Sequence, residues 1–269
     1  MADTGASCIQ RGYVDVPGGQ VHFRSSGDSA DVPIVMLHQT ASSSVMFEAV
    51  MDRLEPRRCL ALDTPGFGSS TAIPVVSIEA WAGTLSAALE RLGVQELDLV
   101  GHHTGAAVAV AIATSRSGRV RRIALGGPPL LGGQARERIA RGATAIERHP
   151  DGRHLLESWQ RSAHYAPRGP VELVEREALL LLTAHSPHLA VQAVLDYDVE
   201  GAVASLAIPL LAFAGDADPI IEGLAAVADM RPDARIEVIP DAGVHAFDER
   251  PMDVADMLAA FFDAGRRTD

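Results

Sequence analysis

Leu97-Asp98-Leu99-Val100-Gly101-His102-His103-Thr104-Gly105, followed by the small apolar run Ala106–Ala113, is the stretch that decides how this chain is built. Leu97–Gly101 reads as a strand buried on both faces of a sheet. Thr104–Ser115 is small and apolar throughout, as expected of a helix packed inside a sheet–helix layer. Gly101 and Gly105 bracket the junction, and glycines at those two places allow a bend sharp enough to lift the middle side chain, His103, above the sheet edge.

The same alternation continues outward in both directions. Val21–Ser25, Ile34–His38, Leu60–Asp63, Val120–Gly126 and Leu210–Gly215 read as further strands. Ser77 is suited to cap a helix in which Ile78, Trp81, Leu85, Leu89 and Leu92 recur at helical spacing and which Gly93 ends. Pro251 opens a last helix with Val254, Met257, Leu258, Phe261 and Phe262 on one face. Alternating β and α units predict a mostly parallel central sheet flanked by helices. From Pro128 to about Ser205 the pattern is helical only, and it begins with the hinge-like Gly126-Gly127-Pro128-Pro129. The expected organisation is therefore a core over 1–127 and 206–269, interrupted by an inserted helical cap over 128–205.

Composition narrows the function. The 269 residues carry a formal charge of −12, which disfavours phosphate backbones and anionic membranes, so no nucleic acid and no membrane are expected as partners. There is no lysine, which excludes Schiff-base chemistry, a pyridoxal phosphate anchor and the P-loop lysine together. There is no asparagine, so N-glycosylation is excluded. Cys8 and Cys59 read as thiols of a reducing compartment, and no signal peptide or spanning run is apparent, which together predict a cytoplasmic protein. His149, His154, His164, His185 and His188 fall in the helical segment, but without carboxylate or cysteine partners at ligand spacing, so no metal and no cofactor are expected. Leu179–Leu182 reads as core packing of a cap helix rather than a membrane or dimer face, and a homodimer stays open as a partner.

Four further motifs give the bend its context. Leu37-His38-Gln39-Thr40 follows an early strand, Asp63-Thr64-Pro65-Gly66-Phe67-Gly68-Ser69-Ser70 follows the next, Gly215-Asp216-Ala217-Asp218-Pro219 follows a late one, and Gly243-Val244-His245 precedes Glu249 and Pro251. In this order they resemble the cap-bearing branch of the α/β-hydrolase superfamily over nearly the whole chain. The resemblance implies an α/β-hydrolase fold with the nucleophile seat at His103, the acid at Asp218 and the catalytic histidine at His245. It implies an oxyanion hole from the backbone N–H groups of Thr40 and Thr104. Asp216 is then a turn residue, His38 shapes its loop, and His102 packs. Gln39 stands where relatives have glycine, and it joins Trp159, His164, Tyr165 and Tyr197 as candidates for the substrate pocket.

The elbow carries histidine where the family has Ser, Asp or Cys. A serine oxygen can donate a hydrogen bond to the base and still attack carbon, whereas an imidazole nitrogen that carries hydrogen has no free lone pair. The expectation is that His103 and His245, the latter oriented by Asp218, exchange a proton or activate water while the Thr40 and Thr104 amides hold an oxyanion. This implies a small-molecule substrate. The leading expectation is hydrolysis of a small apolar ester or lactone. The alternatives are a lyase, decarboxylase or cyclase moving a proton next to a carbonyl, and a non-catalytic ligand-binding member.

Overall fold

A computed structural model describes residues 9–116, 118–167 and 169–264. Cys8, and with it half of the thiol argument, lies outside the described residues; Cys59 is a buried free thiol.

Eight strands form one sheet: β1 (Gln10–Val16), β2 (Gly19–Ser26), β3 (Ile34–Leu37), β4 (Cys59–Leu62), β5 (Leu97–His102), β6 (Val120–Gly126), β7 (Leu210–Gly215) and β8 (Arg235–Ile239), in the order β1-β2-β4-β3-β5-β6-β7-β8. The first two pairings, β1 with β2 and β2 with β4, are antiparallel, and every other neighbour is parallel. β3, β4, β5 and β7 are buried at every position, which is why each reads as a near-continuous apolar run.

The helices are α1 (Glu48–Leu54), α2 (Ile78–Arg91), α3 (Thr104–Ser115), α4 (Gly133–Gly142), α5 (Arg153–Tyr165), α6 (Val171–Thr183), α7 (Pro187–Asp196), α8 (Val199–Ser205), α9 (Gly223–Met230), α10 (Ala246–Glu249) and α11 (Pro251–Asp263). The Ser77 side chain accepts from the Ala80 N–H and starts α2, and Gly93 ends it at φ 73°. α2, α3, α8 and α9 share one core with one face of the sheet, and α1, α10 and α11 fill the other face around Phe47, Phe213, Phe247 and Phe262.

Between β6 and β7 the described residues are helical, with no strand. This insertion has two parts. α5 and α6 enclose a small cluster of their own, Ala166, Leu173 and Val174. Ala190, Ala193, Val194, Val199 and Val203 of α7 and α8 belong instead to the main core. The expected boundary at 205 therefore falls after helices that pack as part of the body. Leu179 is 57% exposed, and Leu180–Leu182 are half-buried, so this leucine run is not core.

Three contacts tie the insertion to segments beyond the carboxyl edge of the sheet. Ser42 Oγ donates to Glu177 Oε1 at 3.0 Å, the His185 N–H donates to the Gly66 carbonyl at 2.8 Å, and Arg176 donates both guanidinium nitrogens to Asp248, at 2.7 and 2.8 Å. Burial raises the Glu177 carboxyl above its ordinary value despite the adjoining Arg176.

Candidate active site

The bend between β5 and α3 places His103 at φ 49° and ψ −113°, a left-handed region that a non-glycine residue occupies only when its surroundings impose it. The surroundings do so. The His103 N–H donates to the Gly126 carbonyl at 2.8 Å, and its own carbonyl accepts from the Ala106 N–H at 2.8 Å. Both bracketing glycines are needed: a Cβ at Gly105 would lie 2.1 Å from the Leu37 carbonyl oxygen, and one at Gly101 would lie 2.3 Å from that of Gly105.

The His103 imidazole reaches across to the loop after β7. Its Nε2 donates to Asp218 Oδ2 at 2.7 Å, and the Ile220 N–H donates to Asp218 Oδ1 at 2.9 Å. Burial alone would raise the Asp218 carboxyl, but the charge and hydrogen bond of His103 and the Ile220 N–H outweigh it and hold the carboxyl down to about 2. Gly127, at φ 52°, makes room for the ring: a Cβ there would lie 2.4 Å from His103 Nε2. With Nε2 carrying the proton, the lone pair of the neutral ring sits on Nδ1, which bonds to no described residue.

This differs from the expectation in one decisive respect. Asp218 was expected to orient His245, and it is bonded to His103 instead. No hydrogen bond joins the two rings among the described residues. His245 Nδ1 lies 3.2 Å from Gln39 Nε2, and that amide nitrogen can only donate. The physical reason is reach. A serine hydroxyl is too short to touch the acid loop, so a histidine must stand between them; an imidazole on the same backbone spans that gap itself. Gln39, 4% exposed, is turned onto His245.

The other expected residues separate. Thr40 and Thr104 come together, with Thr40 Oγ1 donating to Thr104 Oγ1 at 2.8 Å. Thr104 opens α3, where N–H groups have no intrahelical acceptor and the helix dipole favours negative charge. The remaining pocket candidates have other contacts. Trp159 packs against the small cluster of α5 and α6, and His164 and Tyr165 are exposed and meet edge to face with ring centroids 5.1 Å apart. Tyr197 lies beside Thr114, ten residues along α3 from Thr104 and so about 15 Å from the bend.

Two residues read as structural have definite partners. The His38 Nδ1 donates to the Gln39 carbonyl at 2.7 Å and its Nε2 accepts from the Thr64 N–H at 2.9 Å, which fixes a neutral ring that ties the loop after β3 to the one after β4. Asp216 accepts from the N–H groups of Asp241 and Ala242 and so closes a turn. His102 was read as packing, and it also positions: its Nε2 donates to the Val244 carbonyl at 2.7 Å, immediately before His245, and its ring lies 4.5 Å from that of His103.

Burial, aided by the neighbouring His103, pushes the His102 imidazole down to about 3, so it stays neutral in the folded protein. The unfolded chain binds a proton near pH 6.5, so as pH falls from 7.5 to 5 the unfolded state takes up a proton that the folded state refuses. Stability contributed by this group is complete above pH 6.5 and is expected to drop by about 2 kcal/mol at pH 5. Urea unfolding at the two pH values should show the drop, and His102→Gln, which keeps a donor for Val244, should show a shallower one.

A model of the alpha/beta hydrolase family matches residues 34–257. The chain belongs to the α/β-hydrolase family. Among relatives of this α/β hydrolase is the 2-succinyl-6-hydroxy-2,4-cyclohexadiene-1-carboxylate synthase of Salmonella newport (strain SL254), 26% identical over 87% of the chain and 94% of the relative. A thermophilic esterase from Thermogutta terrifontis has the same fold with a TM-score of 0.78 and 26% identity, covering 94% of this chain and 98% of that one. The esterase RhEst1 from Rhodococcus sp. ECU1013, at 22% identity and a TM-score of 0.79, shares the fold over 95% of this chain and 98% of that one. This α/β hydrolase thus sits among enzymes of both hydrolytic and synthetic name.

Proposed function

We propose that this α/β-hydrolase-family protein is a cofactor-independent general acid–base catalyst that moves a proton next to the carbonyl of a small, largely apolar substrate, without an acyl-enzyme. The observation that carries the reading is the 2.7 Å bond from His103 Nε2 to Asp218, which leaves the base itself in the nucleophile's seat. The substrate carbonyl oxygen accepts from the Thr40 and Thr104 N–H groups. His103 Nδ1 takes the proton from the adjacent carbon, the C–H electron pair moves into the forming enolate, and the amides hold its oxygen. The ring becomes cationic beside an ionised Asp218, and its Nδ1–H then returns the proton to carbon or to a departing group. The insertion acts as a cap, held over the site through Ser42, Gly66 and Asp248.

Hydrolysis of a small ester or lactone is the second reading, favoured by the likeness to the Thermogutta terrifontis esterase. The same base would then take its proton from water. The two readings separate in D2O. With acetoacetate esters and small ketones as probes, proton NMR should record exchange at the carbon next to the carbonyl, lowered roughly 10²–10⁴-fold in His103→Ala. Turnover of p-nitrophenyl acetate with no such exchange would replace the first reading by the second.

A further inference from the structure

His245 is the residue that the His103–Asp218 pairing leaves without its expected carboxylate, and what stands beside its Nδ1 is the Gln39 amide at 3.2 Å. We propose that Gln39 is a positioning residue that locks His245 in the neutral form protonated on Nε2, so that His245 meets the substrate as a hydrogen-bond donor rather than as a base. The inference deepens the function proposed above and rests on it for what the donor is used for.

An amide nitrogen carries two hydrogens and no lone pair to offer, so the Gln39 to His245 bond exists only while His245 Nδ1 is unprotonated. In a neutral imidazole the proton must then be on Nε2, which bonds to no described residue. Protonating His245 on Nδ1 would set N–H against N–H until the Gln39 amide turned over to offer its oxygen, inside a site where Gln39 is 4% and His245 3% exposed. The charged groups facing His245 do not reverse this. Asp248 and Glu249 on α10 favour a cation, but Arg176 on α6 and His103 at the bend oppose it, and burial, the largest influence, also keeps the ring neutral. Both carboxylates are engaged as well: Asp248 holds Arg176 through two bonds, and Glu249 accepts the Gly243 N–H at 2.6 Å.

The site therefore divides two histidines between two tasks. Asp218 holds the His103 proton on Nε2 and frees a base; Gln39 holds the His245 proton on Nε2 and presents an acid. A neutral imidazole donor suits an oxygen that gains negative charge as the proton leaves carbon, because the donor is fixed before the charge appears.

The test is nitrogen NMR of protein labelled in histidine, with the His245 signals assigned through His245→Gln. Wild type should carry the proton on Nε2, with Nδ1 bare, from pH 6 to pH 9. Gln39→Glu replaces the donor by an acceptor and should move the proton to Nδ1. Gln39→Met, which keeps length without a buried charge, should give a mixture of the two forms. In the D2O exchange assay Gln39→Glu should lose at least about tenfold in rate between pH 6 and pH 9 relative to wild type, as His245 comes to donate only when protonated. A proton on Nδ1 in wild type, or an unchanged His245 spectrum in both Gln39 variants, overturns the inference. Asp218→Asn separates it from the underlying reading: that change should abolish exchange while leaving the His245 proton on Nε2.

Discussion

Asp218→Asn is expected to lower turnover roughly 10³–10⁴-fold while leaving substrate binding nearly unchanged, because it reverses the tautomer of the base. Asp218 serves two donors, the Ile220 N–H on Oδ1 and the His103 Nε2–H on Oδ2. An asparagine has one oxygen for two such places. Keeping the Ile220 N–H satisfied points the amide NH2 at His103 Nε2, which must then accept. The proton moves to Nδ1, and the lone pair that would take the substrate proton is gone. Steady-state kinetics on any probe turned over by wild type, with the unfolding transition measured alongside, checks the prediction. Retained turnover in a folded variant would remove Asp218 from the mechanism.

Asp63→Ala is expected to cost about 3–5 kcal/mol of stability. The Asp63 carboxylate is 1% exposed and gathers three donors: the Ser44 N–H at 2.7 Å, the Ser69 N–H at 2.8 Å and His22 Nδ1 at 2.9 Å. Burial would raise this carboxyl, but these bonds and the nearby His38 hold it well below the ordinary carboxylate range. Gly68, at φ 53°, passes so close that a Cβ there would lie 2.2 Å from Asp63 Oδ2. Alanine at 63 strands all three donors and loosens the turn against the segment after β3. Equilibrium urea unfolding measures the loss, and a change under about 1 kcal/mol would mean that water replaces the carboxylate.

What the sequence made legible follows burial. The limits of β6, β7 and α3 and the start of α11 could be read directly, because apolar runs packed within the sheet–helix layers and a proline at the first helical position leave clear signatures. β1 and β8 were missed, being the two edge strands, and their half-exposed residues alternate without an apolar run. The positions of His103, Asp218, Thr40 and Thr104 were legible through motif order, since backbone topology alone brings those loops to one edge. The partner of Asp218 was not, because it depends on how far an imidazole reaches and on the space that Gly127 leaves beside it. The Gly126-Gly127 pair was visible as hinge chemistry, and room for the ring is a second reason for a glycine at 127. Gln39 was visible as a departure, but nothing along the chain reveals that an amide after β3 meets a ring before α10. For Trp159, His164, Tyr165 and Tyr197, helical periodicity tells which residues share a face, not which face turns toward the bend.

The account turns on which histidine holds the carboxylate, and low-field proton NMR reads that directly. An imidazole N–H bonded to a buried carboxylate gives a far-downfield signal. That signal should vanish in Asp218→Asn and in His103→Gln and persist in His245→Gln; a signal that survives His103→Gln and disappears in His245→Gln would place Asp218 on His245 and contradict the exchange of roles described above.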